Sequence, residues 1–81
     1  MIKVVKIHVL NAAGQPMAGQ SVSLTGCGGL VTGPDGTVQF LADDVPDAVI
    51  QIAGAKVWAG STEELKPNEN FKQAGAGFAR S

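Results

Sequence analysis

Few residues in this chain are of a type that does chemistry, and their spacing decides what each can do. His8 is the sole histidine and Cys27 the sole cysteine. A lone imidazole with no residue to orient it and no group to stabilise an oxyanion is a poor general base. On a strand it reads as an outward polar or interface residue. Cys27 lies between Gly26 and Gly28-Gly29, with neither a second Cys nor a His at ligand spacing, so a thiolate metal site would lack its other ligands. It reads as a small loop residue, although its exposed-looking setting would also suit a reactive thiol. Asp35, Asp43, Asp44 and Asp47 could offer oxygens to Ca²⁺, yet they do not follow the spacing of a calcium loop, and Asp is favoured in turns for backbone reasons alone. The glycine-rich run 26–29 is no phosphate loop, because no Lys-Ser/Thr follows it and no helix begins there. No catalytic residue, cofactor or metal is expected. Trp58 is either an interface anchor or the lid of a core poor in aromatics, and the lid suits a chain with so few large side chains.

The elements that would position these residues are strands. Thr32-Gly33-Pro34-Asp35-Gly36-Thr37 has turn chemistry throughout: Pro34 pre-sets φ, Asp35 can bond the following backbone, and Gly36 supplies a positive φ. Segments 29–32 and 37–41 flank it, and the turn predicts the tip of a hairpin between them. Residues 2–10 alternate, with Val5, Ile7 and Val9 on one face and Lys6 and His8 on the other. Ile2 and Val4 have the wrong parity for that apolar face, which predicts a bulge near Val4 or a strand end covered on both sides. Residues 20–25 place Val22 and Leu24 inward, Val38 and Phe40 follow the turn, and residues 48–53 alternate around Ile50 and Ile52. A last short strand covers 56–59. Strands at roughly ten-residue spacing with Gly or Pro between them argue for an antiparallel sandwich or partial barrel.

Composition bounds the rest. The 81 residues suffice for one domain of modest stability, burying somewhat over ~60% of its unfolded surface. Apolar residues make up 44% of the chain, but only three Phe and one Trp are among them, so the core is a thin one of Val, Ile, Leu and Ala that burial against a partner would help. Six basic and seven acidic residues leave a net charge of −1 without a run of either sign, which sets nucleic acid and anionic lipid aside as partners. No apolar stretch approaches the ~20 residues that cross a membrane. One cysteine and no visible secretory signal favour a cytoplasmic protein, or one incorporated into a particle assembled there; a mature secreted fragment would look the same.

From residue 60 the character changes. Ser61 and Glu64 fit a capping box, so 62–66 predicts one helical turn ended by Pro67. Beyond it only Phe71 and Phe78 are large and apolar, separated by Ala74-Gly75-Ala76-Gly77. Such a segment suits an extended arm with the two rings as partner-binding anchors, or else a frayed terminus.

The run from Val5 to Ala59 resembles the small transthyretin-like or carboxypeptidase-regulatory-like β-sandwich modules. Gly14-Gln15-Pro16-Met17-Ala18-Gly19-Gln20-Ser21-Val22-Ser23-Leu24 is similar to their G-x-P-x-x-G-x-x-V-x-L pattern. Thr32 to Phe40 is similar to their T-x-x-x-G-x-x-x-F pattern, and Ile50-Gln51-Ile52-Ala53-Gly54 to one of their strand ends. The resemblance implies a fold, and a module that packs against or links other protein in cell-surface, enzyme-appended, phage or secretion-machine settings. One enzyme branch, the 5-hydroxyisourate hydrolases, opens with a stretch that Ile7-His8-Val9-Leu10-Asn11 and Gly14-Gln15-Pro16 resemble, which would make His8 a catalytic candidate. Their further His and Arg residues and their C-terminal Tyr-Arg-Gly-Ser have no match, since this chain has no Tyr and ends Phe78-Ala79-Arg80-Ser81.

The expectation is an all-β, antiparallel, Ig-like or prealbumin-like sandwich over 1–60, followed over 61–81 by a helical turn and an extended C-terminal arm. The expected role is non-catalytic protein–protein interaction, with Trp58, Phe71 and Phe78 docking a larger subunit or a second copy. A small-molecule or carbohydrate binder is the alternative, and a pocket around Trp58 would favour it.

Overall fold

The computed structural model describes residues 2–75 and 77–80. Among them the chain forms β1 (Lys3–Leu10), β2 (Ser21–Leu24), β3 (Gly28–Val31), β4 (Thr37–Ala42), β5 (Ala48–Ile52), β6 (Ala55–Gly60), β7 (Asn68–Ala74) and β8 (Gly77–Arg80). They make two four-stranded sheets, ordered β4-β1-β7-β8 and β3-β2-β5-β6. Strict alternation places Val5, Ile7 and Val9 of β1 and Val38, Phe40 and Ala42 of β4 on the inner face of the first sheet. Val22 and Leu24 of β2 and Ala48, Ile50 and Ile52 of β5 meet them from the second sheet. The result is an all-β sandwich whose neighbouring strands are antiparallel except for β1 and β7, which run parallel.

The turn at 33–36 forms as its residues dictate, but it is not the tip of a hairpin. Gly36 N–H donates to the Gly33 carbonyl at 2.9 Å, and the Asp35 carboxylate accepts from the Thr37 hydroxyl at 2.7 Å. The strands on either side belong to different sheets, so the turn carries the chain across the sandwich. Gly36 explains why. Its carbonyl accepts from Val9 N–H at 2.8 Å, which joins the start of β4 to β1 and not to β3. A β-carbon at position 36 would lie 2.8 Å from the Val9 carbonyl and 2.9 Å from the Met17 nitrogen, and φ there is +72°, so glycine is demanded twice over.

Two buried threonines fasten the loops. Thr32 Oγ1 donates to the Met17 carbonyl at 2.7 Å and accepts from Gln20 N–H at 2.8 Å, tying the β1–β2 loop to the end of β3. Thr62 Oγ1 donates to the Asp43 carbonyl and accepts from Val45 N–H, both at 3.0 Å, tying the β4–β5 loop to the segment after β6. Thr62 opens a 3-10 turn, Thr62–Glu64, where one helical turn was expected; the Ser61 hydroxyl accepts from Glu63 N–H at 3.3 Å, one residue short of the capping box.

The arm expected after residue 67 is instead part of the sandwich. β7 lies beside β1 in parallel register, Ile7 against Glu69 and Val9 against Phe71, and β8 folds back along β7. Phe71 is completely buried and is a core residue, not a partner anchor; Phe78 is half-buried and packs against the same core. A boundary at residue 60 therefore divides a single hydrophobic core. The physical reason is that β1 carries apolar side chains that need cover along its whole length, and β4 covers only one of its edges. The bulge expected at Val4 is also absent, because the β1–β4 ladder runs unbroken from Lys3 to His8.

Removing the Phe71 ring should leave a cavity in the middle of the first sheet. Phe→Ala changes in cores cost about 3–5 kcal/mol, against a total for a chain of this size of roughly 4–12 kcal/mol. Phe71→Ala is expected to lower the urea midpoint drastically or abolish folding, with Phe71→Leu retaining most of the stability. An unchanged midpoint would restore the arm.

Candidate functional site

The residues singled out for chemistry are dispersed. His8 sits on β1 facing outward, half-buried, with Thr37 of β4 and Asn70 of β7 as its cross-strand neighbours. Cys27 is half-buried in the β2–β3 turn, its Sγ 3.3 Å from the Leu41 carbonyl, and it packs against the core. Asp35 belongs to the 33–36 turn, where the Thr37 hydroxyl and N–H hold its carboxyl below the usual range. Asp43, Asp44 and Asp47 lie exposed in the β4–β5 loop. Among the described residues no three His, Cys, Asp or Glu side chains gather as a metal site would require. No helix among them is long and apolar enough to cross a membrane.

Trp58 is half-buried on β6, opposite Ile50, and closes one flank of the sandwich. The Arg80 guanidinium lies over its ring, 6.0 Å from the centroid. Arg80 in turn grips Glu69 with both ends of its fork: Nε donates to Oε1 at 2.8 Å, and the terminal nitrogen bonds Oε2. Glu69 is inward-facing, only 3% exposed, and also accepts from Lys66 N–H at 2.8 Å. Burial pushes its carboxyl up, but the Arg80 hydrogen bonds and charge and the Lys66 N–H outweigh that and hold it below the usual carboxylate range. The cluster fastens β7 to β8 and roofs the flank with Trp58. Sequence reading missed it because Glu69 and Arg80 sit eleven residues apart in a segment with little apolar content.

A shallow cavity of about 290 Å³ opens on the second sheet, lined by Ser23, Thr25, Val49 and Gln51 with the glycines of the β2–β3 turn. It lies away from Trp58, where a ligand pocket was sought.

The exposed apolar residues are more telling. Ile2 is 64%, Val4 47% and Leu41 64% exposed. Val4 and Leu41 are directly opposite each other in the β1–β4 ladder, both out of phase with the buried Val5 and Phe40. Ile2 shares the parity of Val4. These aliphatic side chains thus form one patch on the outer face of the first sheet. The signal was in the sequence as the wrong parity of Ile2 and Val4. Leu30 and Val31 add exposed surface at β3, an edge strand of the other sheet.

The Glu69–Arg80 pair should show in the acid limb of stability. A carboxyl held low in the folded state contributes stability that is present above its unfolded value and lost as pH falls through its folded value. Glu69→Gln is therefore expected to flatten the decline of the urea midpoint below about pH 4. Arg80→Met, which strands a buried carboxylate, should cost about 1–3 kcal/mol at pH 7. Identical acid limbs in wild type and Glu69→Gln would remove the pair from the account.

No family model, no curated protein and no solved structure matches this chain.

Proposed function

We propose that the chain is a non-catalytic protein–protein interaction module, a small accessory or structural subunit of a larger assembly. The observation that carries this reading is the patch of Ile2, Val4 and Leu41 exposed on the outer face of the first sheet. Aliphatic side chains left in water at adjacent positions of a regular ladder cost solvation that a protein partner relieves. The docking surface is thus assigned to the outer face of the first sheet, and Phe71 is withdrawn from it. The two four-stranded sheets and the turn chemistry of 14–24 and 32–40 support the transthyretin-like or carboxypeptidase-regulatory-like resemblance, whose modules bind or link other proteins. A cytoplasmic setting, or a particle assembled there, remains part of this proposal.

A photo-crosslinking amino acid in place of Leu41 tests the surface in extracts of the source cells, with the same group in place of Gln51, on the outer face of the second sheet, as control. A defined adduct from position 41 and none from position 51 is the expected result. Equal labelling from both positions, or none from position 41, would overturn the assignment.

A further inference from the structure

Each sheet ends in two edge strands, and among the described residues the edge of β3 stands open. β6 and β8 lie on the flank that Trp58 and Arg80 roof, and β6 carries Lys56 and a register shift in its pairing with β5. β4 turns Thr37, Gln39 and Leu41 away from β1, and the chain itself caps both ends of that edge. The Thr37 carbonyl accepts from Gly33 N–H and Thr37 N–H donates to the Asp35 carboxylate, both at 3.2 Å, while the Leu41 carbonyl accepts from the Cys27 thiol at 3.3 Å. β3 has no such cover. All of its residues are exposed, Leu30 by 45% and Val31 by 65%.

The register shows which backbone groups face out. Thr32 N–H donates to the Gln20 carbonyl and the Thr32 carbonyl accepts from Gly19 N–H, both at 2.9 Å, so Thr32 turns its backbone towards β2. Alternation turns Leu30, opposite Val22, the same way, and turns the backbone groups of Gly29 and Val31 outward. Those outward groups bond nothing else among the described residues. Side chains alternate too. Leu30 shares the inner face with Val22, at the margin of the core, and Val31 shares the outer face with Ser21.

We infer that the edge of β3 pairs with β3 of a second copy, antiparallel about a two-fold axis at Leu30. In that register Gly29 of each copy faces Val31 of the other, so that every outward group of both residues finds a partner. Leu30 meets its own copy as the closer, non-hydrogen-bonded pair, and the margins of the two cores join. Val31 lies across the bare backbone of the other Gly29. Sliding the register to either neighbouring in-phase position spoils this, because it brings in Cys27, whose N–H is taken by the Leu24 carbonyl, or Gly33, whose N–H is taken by the Thr37 carbonyl. A two-fold axis also sets each nearby charge against its own image, and residues 21–34 carry no charge at all. An unrelated strand must bring a matching uncharged register; a second copy has it by symmetry. The pairing uses up the β3 edge of both copies, so it closes at the dimer. So short a contact falls below the ~800 Å² per partner of standard interfaces, and the dimer is weak and reversible. It stands on the edge of the second sheet, apart from the face of Ile2, Val4 and Leu41.

Sedimentation equilibrium over about 20 μM to 1 mM, a range that brackets weak association, tests the pairing, with amide exchange read by NMR at both ends of that range. Wild type is expected to dimerise, with high salt making little difference. The Gly29 and Val31 amides should exchange more slowly at the higher concentration, while that of Leu30, turned towards β2, stays protected at both. Val31→Pro removes an outward N–H of the kind an edge strand can spare, and should weaken self-association at least tenfold while the thermal midpoint stays near that of wild type. Val31→Lys keeps every backbone group and sets a charge close to its own image, and should give the same loss even where the proline disturbs the strand. A wild type that stays monomeric at the top of the range would overturn the second copy, as would a dimer in which Gly29 and Val31 exchange as they do in dilute solution. A dimer untouched by Val31→Lys and lost in Leu41→Ser would overturn it too, by moving the contact to the outer face of the first sheet and leaving the interaction reading standing.

Discussion

The structure depends on β1 being covered along both of its edges. An eight-residue strand with Val5, Ile7 and Val9 inward presents unpaired backbone groups on either side. β4 satisfies one edge from about thirty residues on and β7 the other from about sixty. Once these two pairings are made, Phe40 and Phe71 fall on either side of the β1 side chains, and a chain poor in aromatics gains a filled inner layer. The second sheet then needs only to present Val22, Leu24, Ile50 and Ile52 to that layer. The loops between sheets are long enough to stray, and Thr32 and Thr62 keep them in place by satisfying one carbonyl and one N–H apiece.

Much of this was legible in the residues. Period-two alternation placed β1, β2, β4 and β5, and it selected the correct inner faces. Turn chemistry located the 33–36 turn and gave Gly36 its role, yet it named the wrong neighbours for the strands it joins. Local residues specify that a chain turns; which strand receives it depends on hydrogen bonds made far away, here from Val9 to Gly36. β7 was hidden for a different reason. Its inward positions are Glu69, Phe71 and Gln73, so apolar alternation fails at two of three places, and the buried Glu69 is tolerable only because Arg80 arrives from β8. No pattern within β7 alone announces a partner from the next strand.

The candidate surface was half legible. Ile2 and Val4 stood out by parity, but their exposure followed only from a regular ladder with no bulge to turn them inward. Leu41 has the outward parity beside Val38 and Phe40, and its register opposite Val4 brings it into the same patch. The two flanks of the sandwich also differ in kind. One is roofed by Trp58 beneath Arg80, and the other carries Leu30 and Val31 in the open.

The parallel pairing of β1 with β7 has a consequence for synthesis. Of the strands described, the first in sequence is completed by the seventh, so the sheet closes only once residues 68–74 are available. A growing chain holding β1 to β6 has its inner layer half built, with one edge of β1 still bare. Closure of so long a loop slows folding and leaves this pairing to a late step. The β1–β7 pairing is thereby a late event, and fragments cut short before residue 68 are candidates for aggregation or proteolysis.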